Sequence, residues 1–377
     1  MSRASCATLK GSCPPQKPRA ETHPGARAVR PPPLSRTPMT EIKVALLGLG
    51  NVGRSFADYL DRQASPSQPR VRIHAMADSS GGLILDDSAE AARVLAHKRA
   101  GGNVREFARG GAAANAEEFI ESLSRAEISV LVESLPTSIR DGQPALGLLL
   151  SALKRRVSVV TVDKGPLVHG FESLHEAARE AGARIAYTGT TGVSVPPAIE
   201  GEPVAEIRGV LNGTTNYILS EMQERGITFG QALADAQAGG IAEPDPRLDV
   251  EGWDTACKIM ILAKRLMKAG GDLSGVSLND MSRVGIGTDT ESLIATGRET
   301  GRVVRLVGRA RIHQGRVRLS VAPKLLAPES PFYGVRGTSK AATFRAAGGG
   351  EVLSHGLSGR DAIARVILED ILSIAPI

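Results

Sequence analysis

The stretch that most constrains this chain runs from Ile42 to Leu60. Ile42–Leu47 is an apolar run interrupted only by Lys43, as in a central parallel strand; Gly48-Leu-Gly50-Asn51-Val52-Gly53 follows at once, and a helical pattern continues through Tyr59 and Leu60. In a strand, turn and helix of this kind each glycine has its own task. Gly48 permits the tight turn, Gly50 lets backbone approach a pyrophosphate, and Gly53 lets the helix sit close to the sheet. The helix start, at Asn51 and Val52, then offers unpaired N–H groups to phosphate oxygens. The next apolar run, Val71–Ala77, ends at Asp78, where a second strand delivers a carboxylate to an adenosine ribose. Together these features favour dinucleotide binding over a plain turn.

The chain keeps alternating beyond this point. A polar helix near Ala89–Arg99 is followed by a glycine link at 101–102, a strand at Ile128–Glu133 and a helix around Pro144–Arg155. A further strand, Val157–Val162, runs into Asp163-Lys164-Gly165-Pro166. Helices between nearly continuous apolar strands imply a doubly wound parallel sheet. Lys164 then stands at the carboxyl end of a strand, the edge where open α/β sheets bind ligands, although a surface loop lysine fits the same position. After Ala183 the rhythm changes. Short strands (Arg184–Tyr187, Val204–Leu211), the loop Asn212–Asn216 and paired helices lead to Val303–Ile312 and Arg316–Val321, which read as an antiparallel pair. The expected fold class is α/β. A Rossmann-type parallel sheet spans about 41–165, is completed by about 336–377, and is joined to an α+β substrate and dimerisation domain over 166–335.

A second dense stretch, Glu243 to Lys258, places several carboxylates and a lysine at the mouth of a helix. Two proline turns hold Glu243 and Asp245 beside its start. From Asp249 onward Trp253, Ala256, Met260, Ala263 and Met267 recur at helical spacing as a buried stripe, with Asp254 and Lys258 off that stripe and four residues apart. Such a cluster can grip an ammonium group and supply a proton. Spacing alone favours a solvated helix face carrying an ordinary ion pair.

Charge narrows the choice of partner. The net charge is +6, yet the first 40 residues hold seven Lys or Arg against Glu21 alone, leaving 39 basic and 39 acidic residues in the rest. The body therefore carries no charge argument for nucleic acid or a membrane surface. The leader, 1–40, has eight prolines and no periodic apolar pattern, which implies disorder, and Met39 is a plausible alternative start. No secretory h-region or membrane-length apolar run is present, so a cytoplasmic location is expected. Only Cys257 lies in the body, where a buried, inert thiol is expected, and the seven histidines show no zinc spacing.

These residues resemble the homoserine dehydrogenase family from Lys43 to the C-terminus, in the same order. Gly48-Leu-Gly-Asn-Val-Gly53, Ala77-Asp-Ser-Ser-Gly81, Val159-Val-Thr-Val-Asp-Lys164, Leu211-Asn-Gly-Thr-Thr-Asn-Tyr217 and Ala236 through Lys258 are similar to its motifs. The resemblance implies NAD(P)-dependent reduction of L-aspartate 4-semialdehyde to L-homoserine, a step toward threonine and methionine, in a homodimer. It implies that Lys258 is the acid/base lysine, with Asp254 beside it. Glu243 and Asp249 become substrate-binding carboxylates, and Lys164 lies next to nicotinamide and substrate. Gly48, Gly50, Asn51, Val52, Gly53, Asp78, Lys98 and Thr137 become cofactor contacts. The chain ends soon after the returning helix, so no regulatory extension is expected.

Some positions depart from the family pattern. Thr188 stands where a glutamate of the usual monovalent-cation site is common, which leaves only backbone near Thr191 and Ser194 for a weak sodium site; no other metal is expected. Asp163 and Ser138 stand where Asn is common, and the glycine-rich stretch reads Gly356-Leu-Ser-Gly359-Arg360-Asp361. Asp78 suits the ribose hydroxyls of NAD and repels the 2′-phosphate of NADP, whereas Lys98 attracts it, so NAD is favoured and NADP possible. Two rivals remain. Aspartate-semialdehyde dehydrogenase needs a nucleophilic cysteine that Cys257, inside a helix, fits badly. A catalytically silent dinucleotide sensor would keep the fold without the chemistry.

Overall fold

Strand β1 (Glu41–Leu47) is apolar from Val44 onward because it is covered there on both faces: Val44 and Leu46 pack into one hydrophobic cluster, Ala45 and Leu47 into the other. The computed structural model describes residues 41–63, 70–107, 113–268, 270–273, 276–356 and 359–375, all within the unit Met39–Ile377. The proposed leader and the Leu357-Ser358 part of the glycine-rich stretch lie outside the described residues.

Around β1 the first sheet is built from β2 (Arg70–Asp78), β3 (Gly81–Ile84), β4 (Val130–Glu133), β5 (Ser158–Thr161) and β6 (Ile185–Ala186), in the order β3-β2-β1-β4-β5-β6. All neighbours are parallel except β2 and β3. Helices α1 (Asn51–Arg62), α2 (Ser88–Arg99), α3 (Ala116–Arg125), α4 (Ala145–Lys154) and α5 (Lys164–Ala181) connect these strands. The sheet does not stop at residue 165; β6 extends it. Strand β3 carries no sequence signal, since four residues with two glycines have little β-propensity and only pairing to β2 extends them.

After the short helix α6 (Thr188–Thr191), β7 (Val204–Val210) begins a second sheet, and helices α7 (Gly213–Arg225), α8 (Phe229–Ala238), α9 (Arg247–Val250), α10 (Trp253–Leu266) and α11 (Thr290–Thr300) follow, of which α7, α10 and α11 pack on its strands. Its other strands are β8 (Ser282–Arg283), β9 (Val303–His313), β10 (Arg316–Leu326), β11 (Ala341–Ala346) and β12 (Glu351–His355), in the order β12-β11-β7-β9-β10-β8. The antiparallel hairpin of β9 and β10 matches the sequence reading, with Ile312 opposite Val317. Helix α12 (Arg360–Ile374) then returns to the first sheet, where Ile367 and Ile371 share a cluster with Val44 and Phe56.

One helix departs from the reading of its pattern. Helix α10 starts at Trp253 and not at Asp249, because Gly252 adopts φ 82° and separates it from α9. It is also no amphipathic surface helix. Asp254 and Lys258, off the apolar stripe, are buried along with Ala256 and Met260 on it, while Trp253, the first residue of the stripe, is only half-buried. A helix packed between the second sheet (β7, β9, β10) and helices α5, α6 and α9 has almost no solvent face, so the surface reading of this ion pair does not hold. Among the described residues no helix is long and apolar enough to cross a membrane.

Candidate active site

The glycine turn has the shape a pyrophosphate requires. A Cβ on Gly48 would lie 2.7 Å from the Ser134 carbonyl oxygen, and one on Gly53 would run into the Gly48 carbonyl. Both glycines are therefore steric necessities of the turn, and Gly48 also has φ 99°. Gly50 differs: nothing lies within 4 Å of its Cβ position, and as N-cap of α1 it offers no side chain to the helix N–H groups. The start of α1, at Asn51 and Val52, thus keeps donors and open space together. This region fits a dinucleotide on the chain's own geometry.

Asp78 closes β2 at the same edge of the sheet. Its Oδ2 lies 2.6 Å from Lys98 Nζ on α2 and accepts from the Val104 N–H, while Oδ1 accepts from the Ser80 N–H at 2.9 Å and the Ser80 hydroxyl at 2.5 Å. Burial acts to raise the Asp78 pKa, but Lys98 and these donors outweigh it and the net shift is downward. The two residues that sequence reading set against each other are partners.

The second centre lies at the carboxyl edge of β5, where α5 begins with Lys164. Asp254, on the first turn of α10, accepts from Lys258 Nζ at 2.6 Å and from Asn212 Nδ2 at 2.8 Å through Oδ2, and its Oδ1 stands 3.4 Å from Lys164 Nζ. Lys258 also donates to the Leu211 carbonyl at 2.9 Å, at the end of β7. Asn212 Nδ2 reaches Asp249 Oδ1 at 2.6 Å, and its Oδ1 caps α7 through the Thr215 N–H at 2.8 Å. Three distant segments converge on one carboxylate. Only 11% of the Asp254 and Lys258 side chains is exposed, so their attraction is poorly screened.

Electrostatics follow from that packing. Burial would raise the Asp254 pKa, but Lys258 and Lys164 hold it well below the usual carboxylate range. For Lys164, burial pulls downward and the Asp254 charge prevails, so the net shift is upward. Asp249 is raised by burial and then by the Asp254 charge.

Of the remaining expected residues, Glu243 is exposed, and among the described residues no hydrogen bond or ion pair joins its carboxylate to this cluster. Thr137 hydrogen-bonds Asp163, the N-cap of α5. The Val193 and Ser194 carbonyls, which lie in the segment expected to hold sodium, already accept from the Thr191 and Ser354 hydroxyls at 2.9 and 2.8 Å. At Thr188 the backbone N–H donates to Asp370 at 2.9 Å. Cys257 is fully buried and its thiol is pushed up to about 12, chiefly by burial, consistent with an inert thiol.

Three residues escaped the sequence reading. Asn212 carries a legible signal, since Asn before Gly-Thr-Thr reads as an N-cap. Glu133 is a carboxyl ending an apolar strand. It is fully buried, accepts from Thr161 Oγ1 at 2.5 Å, and is raised to about 8 by burial and then by Asp163. Lys340 has no local signal. It precedes β11, and a Cβ on Gly192 would lie 3.3 Å from its Cδ. Its pKa falls to about 8, first through burial and then through the nearby Lys258 charge, against the pull of Asp254.

Comparison with known proteins agrees with this geometry. A family model described as homoserine dehydrogenase matches residues 194–372, and one described as its NAD binding domain matches 48–188. Homoserine dehydrogenase of Methanocaldococcus jannaschii is 31% identical over 345 residues, 88% of this chain and 98% of that protein. NAD(+)-dependent homoserine dehydrogenase of Pseudomonas canavaninivorans is 32% identical over 353 residues, 89% of this chain and 97% of that one. Among solved structures, homoserine dehydrogenase from Thiobacillus denitrificans superposes with TM-score 0.71 at 26% identity, covering 89% of this chain and 73% of that one. A hyperthermophilic archaeal homoserine dehydrogenase in complex with NADPH gives 0.69 at 25% identity, with coverage of 89% and 98%.

Proposed function

The chain belongs to the homoserine dehydrogenase family of NAD(P)-dependent oxidoreductases, and from that premise we propose that it interconverts L-aspartate 4-semialdehyde and L-homoserine, on the route to threonine and methionine. The observation that carries this reading is the single buried carboxylate of Asp254 holding both Lys258 and Lys164, on the ligand-binding edge of the sheet that bears the glycine turn.

The cofactor supplies or accepts the hydride when bound. Gly48, Gly50, Asn51, Val52 and Gly53 would hold its pyrophosphate, Asp78 and Lys98 its adenosine ribose, and Thr137 and Lys164 its nicotinamide. Reduction of the aldehyde develops negative charge on oxygen, and Lys258 stabilises that charge and gives up the proton; in the reverse direction it takes the hydroxyl proton. Asp254 aims the ammonium of Lys258 and, bonded also to Lys164, keeps two cations in one small space. Asp249 and Glu243 receive the substrate ammonium, and Lys340 draws its carboxylate. In Glu243 the reading requires the exposed loop to approach the substrate.

NAD is the favoured cofactor and NADP a usable one. Asp78 disfavours a 2′-phosphate, but its pairing with Lys98 weakens that discrimination. A homodimer is part of the same reading, supported by β12 standing at the edge of the second sheet; light scattering on the purified chain measures it. The deciding assay follows reduced nicotinamide with homoserine and NAD+ or NADP+. Turnover without added phosphate is expected. Tight cofactor binding with no turnover would return the silent-sensor reading.

A further inference from the structure

Helix α7 begins in the catalytic cluster, and its other end forms the wall of a separate cavity of about 280 Å³. Gln223 and Glu224 come from that helix. Arg298 and Arg302 come from α11 and the turn after it, Arg305 from β9, and Arg336 from the segment before β11. Four arginines therefore line one small space beside a single carboxylate residue, Glu224, which lies 3.3 Å from Arg336.

Arg305 is the unusual member. It is only 2% exposed, and its guanidinium donates to the carbonyls of Val335 at 2.7 Å, Val304 at 2.8 Å and Tyr333 at 3.4 Å. Among the described residues it forms no ion pair with a carboxylate. Carbonyl dipoles satisfy the donors of a buried cation without cancelling its charge, and such a charge is costly unless an anion is near. A purely structural latch explains Arg305 by itself. It does not explain why Arg298, Arg302 and Arg336, all exposed, gather at the same opening.

We propose that this cavity is a binding site for a small multivalent anion, a di- or tricarboxylate or a phosphate ester, and that its occupancy is linked to the catalytic cluster. Guanidinium groups suit both chemistries because their planar donor pairs match carboxylate and phosphate oxygens. The link is visible in shared walls. The Val335 carbonyl that accepts from Arg305 also accepts from Asn216 Nδ2 on α7 at 3.3 Å, and the same amide group reaches Gly337 O at 3.0 Å and Ser339 O at 3.1 Å, next to Lys340. Asn212, one turn earlier, bonds Asp249 and Asp254. This linkage, unlike the binding itself, rests on the function proposed above.

The test uses the full chain saturated with NAD+, so that the pyrophosphate site is filled. Citrate and inorganic phosphate are titrated by calorimetry against potassium chloride of matched ionic strength. Saturable binding is expected for at least one of them, and the tighter of the two identifies the chemistry. The double variant Arg302→Ala/Arg336→Ala removes only exposed side chains, so it should keep the wild-type melting temperature and NAD+ affinity while losing tenfold or more in anion affinity. Equal affinity in wild type and double variant, or heats no larger than those of chloride, overturns the site. In parallel, citrate should change the homoserine KM at least twofold in wild type and not in the double variant. Binding with unchanged KM removes the linkage and leaves the site. Absence of turnover under every condition counts against the proposed function, while calorimetry still decides the cavity.

Discussion

Lys98 Nζ stands 2.6 Å from Asp78 Oδ2, with 23% of the lysine side chain and 5% of the aspartate side chain exposed. The carboxylate at the end of β2 is thus shared between a future ribose and an existing lysine, with Ser80 and Val104 as further donors. A neutral pair repels a 2′-phosphate less than a lone carboxylate does.

Cofactor choice tests this pair. The wild type should show a higher kcat/KM with NAD than with NADP. Lys98→Met should widen the ratio several-fold by removing the cation. Asp78→Ala should narrow or reverse it, and should also lower the melting temperature because Ser80, Val104 and Lys98 lose their acceptor. Steady-state rates with both cofactors on all three proteins decide it; an NADP preference in the wild type would show that Lys98 dominates.

Lys258→Met should remove turnover and leave NAD+ binding intact, because Lys258 is bonded to Asp254 and Leu211 and not to the glycine turn. Loss of a proton donor costs about 10²–10⁴-fold in rate. Asp254 retains Lys164 as a partner, so the variant should fold. Turnover within about threefold of wild type would transfer the proton role to Lys164.

Burial and the Lys258 charge lower Lys340 to about 8, so its positive charge is complete well below that pH and fades as pH rises through it. A carboxylate held by Lys340 then binds more weakly above that value. The homoserine KM should rise across this limb in wild type, and Lys340→Met should have a high KM with the limb flattened. An unchanged limb in the variant rules out Lys340 as its source.

Gly50 and Gly53 should respond differently to the same methyl group. Gly53→Ala puts a Cβ against the Gly48 carbonyl and should lower the melting temperature. Gly50→Ala meets open space in the protein, so the melting temperature should hold while NAD+ affinity falls, since the methyl group occupies the approach to the pyrophosphate. Thermal denaturation and fluorescence titration separate the two; wild-type NAD+ affinity in Gly50→Ala would move the phosphate site elsewhere.

Asn212→Ala removes the amide that spans Asp249 and Asp254 together with the cap of α7. Loss of the cap costs about 0.5–2 kcal/mol. Chemical denaturation should show that loss, and the homoserine KM should rise as the two carboxylates separate. A stability loss with unchanged KM would reduce Asn212 to a cap alone.

The sequence by itself determined the elements whose cause is local. An apolar run buried on both faces, a turn that only glycine can follow, and a helix start behind it are dictated by short-range sterics and side-chain alternation, so β1, Gly48–Gly53 and α1 were legible, as was the β9–β10 hairpin. Asp254 and Lys258 could be placed four apart on a helix, but not inside the protein, because the burial of α10 depends on the second sheet and on helix α5, which the helix pattern does not contain. Only the tertiary structure joined Lys164, Asn212 and Asp249 to that pair, brought Lys340 beside it, and turned Asp78 and Lys98 from rivals into partners. Apart from Asp249, which lies in the same stretch as the pair, those relationships cross tens of residues, and their distances are set by which elements neighbour one another and not by any local preference of the backbone.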